Sequence, residues 1–254
     1  MVRLEAVAEA LAGTGVGAGE FASRFGEALG DAVRQAHAVG VKSVAAYRVG
    51  LDFDLRPPSR FEVAAAAGDW LERGPSPGGW RLDNPLLTRA LLWAAVELGL
   101  PIQFHTGFGD TDLVLQRANP VLLTGFIRAV PKRVPIMLLH CYPYHREAGY
   151  LAAVHPHVHL DVDLALNYVG PTRAGEVLAE ALELAPFEKM LYSSDAFGLP
   201  ELYHLGALVF RRGLAALLDG WVGGGECSAA DAGRIAGLIA AKNATRVYGL
   251  GRSA

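Results

Sequence analysis

Cysteine is scarce in this chain. Two residues, Cys141 and Cys227, occur in 254, far too few for a disulfide framework in a protein of this size, so a reducing, cytoplasmic setting is expected. Long apolar runs are missing too: no stretch of about 18 uncharged apolar residues occurs. The start, MVRLEAVAEALAG, lacks the charged-then-apolar layout of an export signal. Neither a membrane span nor export is expected. An excess of one charge is also absent. With 23 Lys and Arg against 26 Asp and Glu, the net charge is -3, which gives no field for gripping nucleic acid or an anionic membrane. Cys-x-x-Cys and the Gly-rich phosphate loop are not found, which disfavours redox and nucleotide-binding readings.

What is present is a folded, apolar chain, 52% hydrophobic and 19% charged, long enough for one large domain. Five β-rich segments are predicted at 41–47, 101–105, 134–140, 158–163 and 189–195. Amphipathic stretches alternate with them, among them 86–98, 121–130, 175–184 and 199–218, and a last helix opens at Ser228 or Asp231 and runs to about Tyr248. That alternation predicts an α/β fold with parallel strands. The first 40 residues read as two helices around a Gly-rich break, with no strand. Residues 54–81 read as a long loop holding a short helix at 61–71, the kind of loop that often covers an active site. Five strands in this length predict either an open sheet or a (β/α)8 barrel without its first three units.

Parity along the strands indicates which side chains share a face. Ile102 and Phe104 suit the helix-facing layer, which turns Gln103 and His105 the other way. Val158, Leu160 and Val162 likewise leave His159, Asp161 and Asp163 together. Four segments finish on a polar residue, His105, His140, Asp163 and Asp195, at the strand ends where α/β enzymes place their chemistry. His105, His140 and Asp195 are candidate metal ligands. Imidazole and carboxylate suit zinc first, with manganese, iron or nickel also compatible. Asp195 has a second reading as a helix cap. Lys42 shares the inward parity with Val44, Ala46 and Arg48, and two roles stay open for it: an ion pair with Asp161 or Asp163, or a catalytic or metal-bridging role. Arg48 is placed to hold a substrate carboxylate, with a loop salt bridge to Asp52 or Asp54 as the competing role. The run His155-Pro156-His157-Val158-His159 lies at a strand entry and reads as solvated turn histidines rather than a metal clamp.

Together the segments 41–53 (VKSVAAYRVGLDF), 100–110 (LPIQFHTGFGD), 134–152 (VPIMLLHCYPYHREAGYLA), 189–201 (KMLYSSDAFGLPE) and 243–250 (NATRVYGL) resemble the amidohydrolase superfamily in its amidohydrolase-related branch. The nearest likeness is the hydrolase-like domain that some plant and fungal proteins carry ahead of a glutamine synthetase domain. The resemblance implies a TIM-type (β/α)8 barrel with one or two metal ions. It casts 1–254 as one barrel domain, with 1–40 a helical lead-in and 41–254 strands four to eight. It makes His105 the strand-five ligand, His140 the strand-six histidine and Asp195 the strand-eight acid, and puts Lys42 where some relatives carry a carboxylated, metal-bridging lysine. No His-x-His strand precedes Lys42, so on this reading the chain is incomplete at its N-terminus.

The expected activity is metal-dependent hydrolysis of a small carboxylate- or amide-containing molecule. Asp195 takes the proton of a metal-activated water, His140 helps polarise the scissile carbonyl, and Arg48 and Tyr144 hold the substrate. Two rival readings stay open: a non-hydrolytic decarboxylase of the same superfamily, and a catalytically silent barrel fragment or interaction module. Absent strands would leave sheet edges that invite a second copy or a partner chain. A start codon placed too far downstream is the remaining alternative.

Overall fold

The structure, a computed structural model, describes residues 1–251, so the last three residues of the expected domain lie outside the described residues. Six strands occur, β1 (Val2–Arg3), β2 (Val41–Ser43), β3 (Ile102–Thr106), β4 (Ile136–His140), β5 (Val158–Asp161) and β6 (Met190–Leu191), in one sheet in chain order. The pairings β1 with β2, β2 with β3, and β5 with β6 are parallel. Helices alternate with them, giving the α/β architecture expected. The expectation of no strand before Val41 is corrected by β1, whose Val2 and Arg3 register with Val41 and Lys42. Two residues running straight into a helix are too short to show period-two alternation.

The chain divides into two compact units. The first comprises Met1–His105, Asp110–Ala118 and Leu122–Ile136. Its helices are α1 (Leu4–Ala12), α2 (Phe21–Gln35), α3 (Arg60–Arg73), α4 (Pro85–Leu98) and α5 (Thr124–Ala129). Phe21, Phe25 and Leu29 recur every four residues on α2 and are buried, the stripe a 3.6-residue period requires. Asn84 opens α4 by accepting the N–H groups of Leu86 and Leu87, with Pro85 in the first turn. Helix α3 matches the short helix expected at 61–71 and opens with a capping box between Ser59 and Glu62. Phe126 meets Phe53, Trp93 and Phe104 edge-on at 5.6–5.9 Å between ring centres. Just beyond α3 the string Gly74-Pro75-Ser76-Pro77-Gly78 has the spacing of a serine-hydrolase elbow. It forms an exposed turn in which Ser76 Oγ donates to Gly79 O at 3.0 Å, with no strand before it and no helix after it.

Strand β2 is shorter than the predicted 41–47. Buried Glu5 accepts from Ser43 Oγ at 2.7 Å and from the Val44 N–H at 3.0 Å, and the chain then winds into a 3₁₀ turn at Ala45–Tyr47. The carboxylate thus takes the amide that would extend the ladder. Glu5 itself is pushed above the usual carboxylate range by burial.

The second unit comprises Thr106–Gly109, Asn119–Val121 and the chain from Met137 on. It carries α6 (His145–Val154), α7 (Ala165–Leu182), α8 (Glu201–Gly223), α9 (Ala229–Gly237) and α10 (Asn243–Val247). Helix α7 starts ten residues before the stretch predicted at 175–184 and bends at Gly170 and Pro171, a break that interrupts the apolar period. Strand β4 is buried along its whole length, and Met137 and Leu139 pack with Leu191 under Ala244, Val247 and Tyr248. The side-chain amide of Asn243 fastens α10 to β6 by donating to Phe187 O and Met190 O at 2.8 and 2.7 Å.

Candidate metal centre

In the second unit three strand ends deliver a histidine and two acids to one place. His140 closes β4, Asp163 lies two residues past β5 and Asp195 four past β6. One donor atom from each lies within 4.8 Å of the other two. His140 Nδ1 is 2.6 Å from Asp163 Oδ1 and 3.8 Å from Asp195 Oδ2. His140 and Asp163 are buried, whereas the Asp195 side chain is 40% exposed, so the group opens to solvent on the Asp195 side.

Backbone geometry is bent to build it. His140, Cys141 and Asp195 have φ values of 66°, 62° and 43°, a left-handed region that side chains with a Cβ enter at a cost. Hydrogen bonds hold the turn: Thr106 Oγ1 donates to Leu139 O at 2.8 Å and the Phe108 N–H to Tyr142 O at 2.6 Å. Between those donors only a glycine fits. Gly107 has φ +67°, and a Cβ there would come 2.3 Å from Tyr142 O.

The carboxylates are themselves positioned. Asp163 Oδ1 accepts the Leu164 N–H, and its Oδ2 accepts Ser193 Oγ at 3.3 Å. Asp161 Oδ1 takes the Ser193 N–H at 2.9 Å, which explains why β6 ends at Leu191 rather than running to Asp195. Burial, reinforced by the Asp163 carboxylate, pushes Asp161 well above the usual carboxylate range. Burial, with Asp161 and Asp163 nearby, also raises Tyr192 to about 12. Three acids crowd together here, and among the described residues no lysine or arginine is paired with any of them. Such a cluster is costly without a cation, and imidazole with carboxylate oxygen is a donor set that suits a divalent transition metal.

The sequence-predicted residues fall out unequally. His140 and Asp195 belong to the group. Asp163, noticed as a polar strand end and considered only as a partner for Lys42, belongs to it as well; its shared parity with His159 and Asp161 was the available signal. His105 is the penultimate residue of β3 and lies in the first unit, its ring centre 4.4 Å from that of Tyr47. Lys42 is half-buried on β2, in register with Arg3 and Gln103. Arg48 is nearly buried and faces Glu9 at 3.4 Å, not Asp52 or Asp54. Asp54 instead pairs with buried Arg89 at 2.6 Å. Tyr144 sits half-buried just ahead of α6. The strand-entry histidines depart from expectation, since His157 and His159 are buried rather than solvated. Cys141 is fully buried, and burial raises its thiol far above the ordinary range, which makes it a packing residue and not a thiolate ligand. His145, on α6, is spent on Glu180, its Nε2 2.5 Å from Oε2.

The amidohydrolase family profile matches residues 5–250. The chain belongs to the amidohydrolase family. Among its relatives, Protein fluG of Emericella nidulans is 35% identical over 234 residues, covering 87% of this chain and 26% of that protein. A crystal structure from Lactobacillus casei ATCC 334, provisionally assigned as a metal-dependent hydrolase, shares 34% identity. It superposes with a TM-score of 0.86 over 99% of this chain and 65% of its own. Glucuronate isomerase from Caulobacter crescentus, at 17% identity and TM-score 0.67 over 91% of this chain and 51% of its own, shares the fold alone. The amidohydrolase chain thus spans about a quarter of the curated relative and roughly two thirds of the solved one. No helix among the described residues is long and apolar enough to cross a membrane.

Proposed function

We propose that this chain is a metal-dependent hydrolase that cleaves a small carbonyl compound, an amide or ester, with His140, Asp163 and Asp195 holding one divalent ion. The observation that carries the reading is the approach of their three donor atoms to within 4.8 Å of one another. Zinc is the first candidate, since one imidazole and two carboxylates leave room for solvent in a four-coordinate site. An ion bound there supplies an acidified water as nucleophile at neutral pH and electrophilic pull on the substrate carbonyl. Asp195, with its exposed carboxylate, accepts the proton of the attacking water and returns it to the leaving group. Asp163 Oδ1 stands 2.6 Å from His140 Nδ1 and its second oxygen is held by Ser193, so the two buried donors already lie side by side.

Calorimetric titration of chelator-treated protein with zinc, manganese, nickel and iron(II) tests this. One ion should bind per chain, with a rise in melting temperature, and binding should fall at least tenfold in Asp163→Ala and His140→Ala. Protein that binds none of the four ions and shows no metal-dependent thermal shift would overturn the reading.

A further inference from the structure

The segments that carry the acids of this centre also carry the most exposed rings of the second unit. Tyr168, five residues past Asp163, is 69% exposed; Phe197, two past Asp195, is 90% exposed; Leu199 and Tyr203 follow at 62% and 61%. A lone exposed apolar side chain needs no explanation, but these four lie on segments that meet. A Cβ on Gly206 would lie 3.2 Å from Asn167 Oδ1 and 3.1 Å from Ser194 Cβ, so the first turns of α7 and α8 and the stretch after β6 touch there. Tyr168 is the neighbour of Asn167, Tyr203 lies one helical turn before Gly206, and Phe197 lies three residues beyond Ser194. Tyr168 also packs against Phe108, ring centres 4.9 Å apart and planes tilted by 54°. Phe108 follows Gly107 and is tied to Tyr142 O.

Water-facing rings add nothing to folding, and grouped apolar exposure marks a surface that something covers. Charges of both signs act beside Gly206, Asp161 and Asp163 against Arg211 around Tyr192, so neither sign of ligand charge is selected there. Ring faces and edges favour another ring, in offset or edge-on packing.

We propose that Phe108, Tyr168, Phe197 and Tyr203 form an aromatic rim that takes the aryl group of an aryl-bearing amide or ester, holding its carbonyl toward His140 and Asp195. This rests on the metal-dependent reading above, and names the substrate class of that same site.

Two hydroxamates separate the claims, because they chelate a metal alike and differ only in the tail. With zinc-loaded protein, benzohydroxamate should bind about tenfold tighter than acetohydroxamate. Phe197→Ser combined with Tyr168→Ser should erase that preference while acetohydroxamate affinity and zinc affinity stay unchanged. Equal affinities in the wild type, or a preference that survives the double variant, overturns the rim. Should zinc not bind, saturation-transfer NMR with benzamide on the metal-free protein still decides the matter: saturation of the benzamide ring that disappears in the double variant supports the rim, and a wild type that transfers none overturns it. Sedimentation supplies the remaining outcome, since a wild-type dimer that the double variant breaks would show that a second copy covers these rings, and would overturn the proposal.

Discussion

Acid should unfold this protein partly through one histidine. His159 sits in the middle of β5 with 8% of its surface exposed, and its Nδ1 meets no hydrogen-bond partner among the described residues. Burial, with Lys189 adding repulsion, lowers its pKa from 6.5 to about 4. The folded chain therefore resists a proton that the unfolded chain accepts. Stability from this group is complete above pH 6.5, is lost as pH falls from 6.5 toward 4, and changes no further below. At 1.36 kcal/mol per unit the total is about 3 kcal/mol, most of it gone by about pH 4.5. Urea unfolding at a series of pH values between about 7 and 4.5 reads this out. The comparison is with His159→Phe, which fills a similar volume and cannot titrate. Carboxylates lose stability in acid in both proteins, so the difference between the two curves isolates His159. The variant should equal or exceed the wild type at neutral pH, since it leaves no buried ring nitrogen unbonded, and its advantage should grow by about 2–3 kcal/mol toward pH 4.5. Parallel curves would mean that His159 takes up its proton freely in the folded protein, and the argument from burial would be wrong.

Gly107→Ala should lower stability by at least about 2 kcal/mol and weaken divalent-ion binding with it, because the added methyl meets Tyr142 O beside the turn that carries His140. Retention of wild-type zinc affinity would show that this turn does not support the site. Glu5→Gln should stabilise: burial raises the Glu5 pKa above 4.5, so the stability tied to its neutral form is present at low pH and lost as pH climbs past 4.5. The glutamine variant should gain on the wild type toward neutrality and match it near pH 4, and a variant less stable at pH 7 refutes the assignment. Phe126→Ala, which removes a ring touching three others, should cost about 3–5 kcal/mol in urea unfolding.

The outline of this fold was legible where apolar runs were long. Strands at 102–106, 136–140 and 158–161 and the helices 21–35, 60–73 and 85–98 follow from periodicity and caps that lie within the chain itself. What was hidden depended on partners far away in sequence. The end of β2 is decided by Glu5, 38 residues upstream of Ser43. The end of β6 is decided by Asp161, whose carboxylate takes the Ser193 N–H. The candidate site follows the same division. His140 and Asp195 were readable as polar strand ends. Asp163 was visible too, but parity placed Asp161 and Asp163 on one face and could not say which would meet His140; the 2.6 Å approach of Asp163 to Nδ1 makes that choice.

Strain points to the same place as chemistry. Among the described residues four non-glycine positions take φ values between 43° and 66°, and His140, Cys141 and Asp195 are three of them. Each is worth about 1–3 kcal/mol of destabilisation, in a protein whose net stability is on the order of 10 kcal/mol. Folding alone gives no reason to accept that after both β4 and β6, or to bury Asp161 and Asp163 side by side. The surrounding structure does hold them: Thr106 and Phe108 donate to carbonyls on either side of His140, and Ser193 binds both acids. A bound divalent ion would convert this arrangement from one that repels itself into one that is neutralised, and would add its binding free energy to stability. The strained turns, the crowded carboxylates and the amidohydrolase family membership would therefore share one explanation if the proposed cation is held by His140, Asp163 and Asp195.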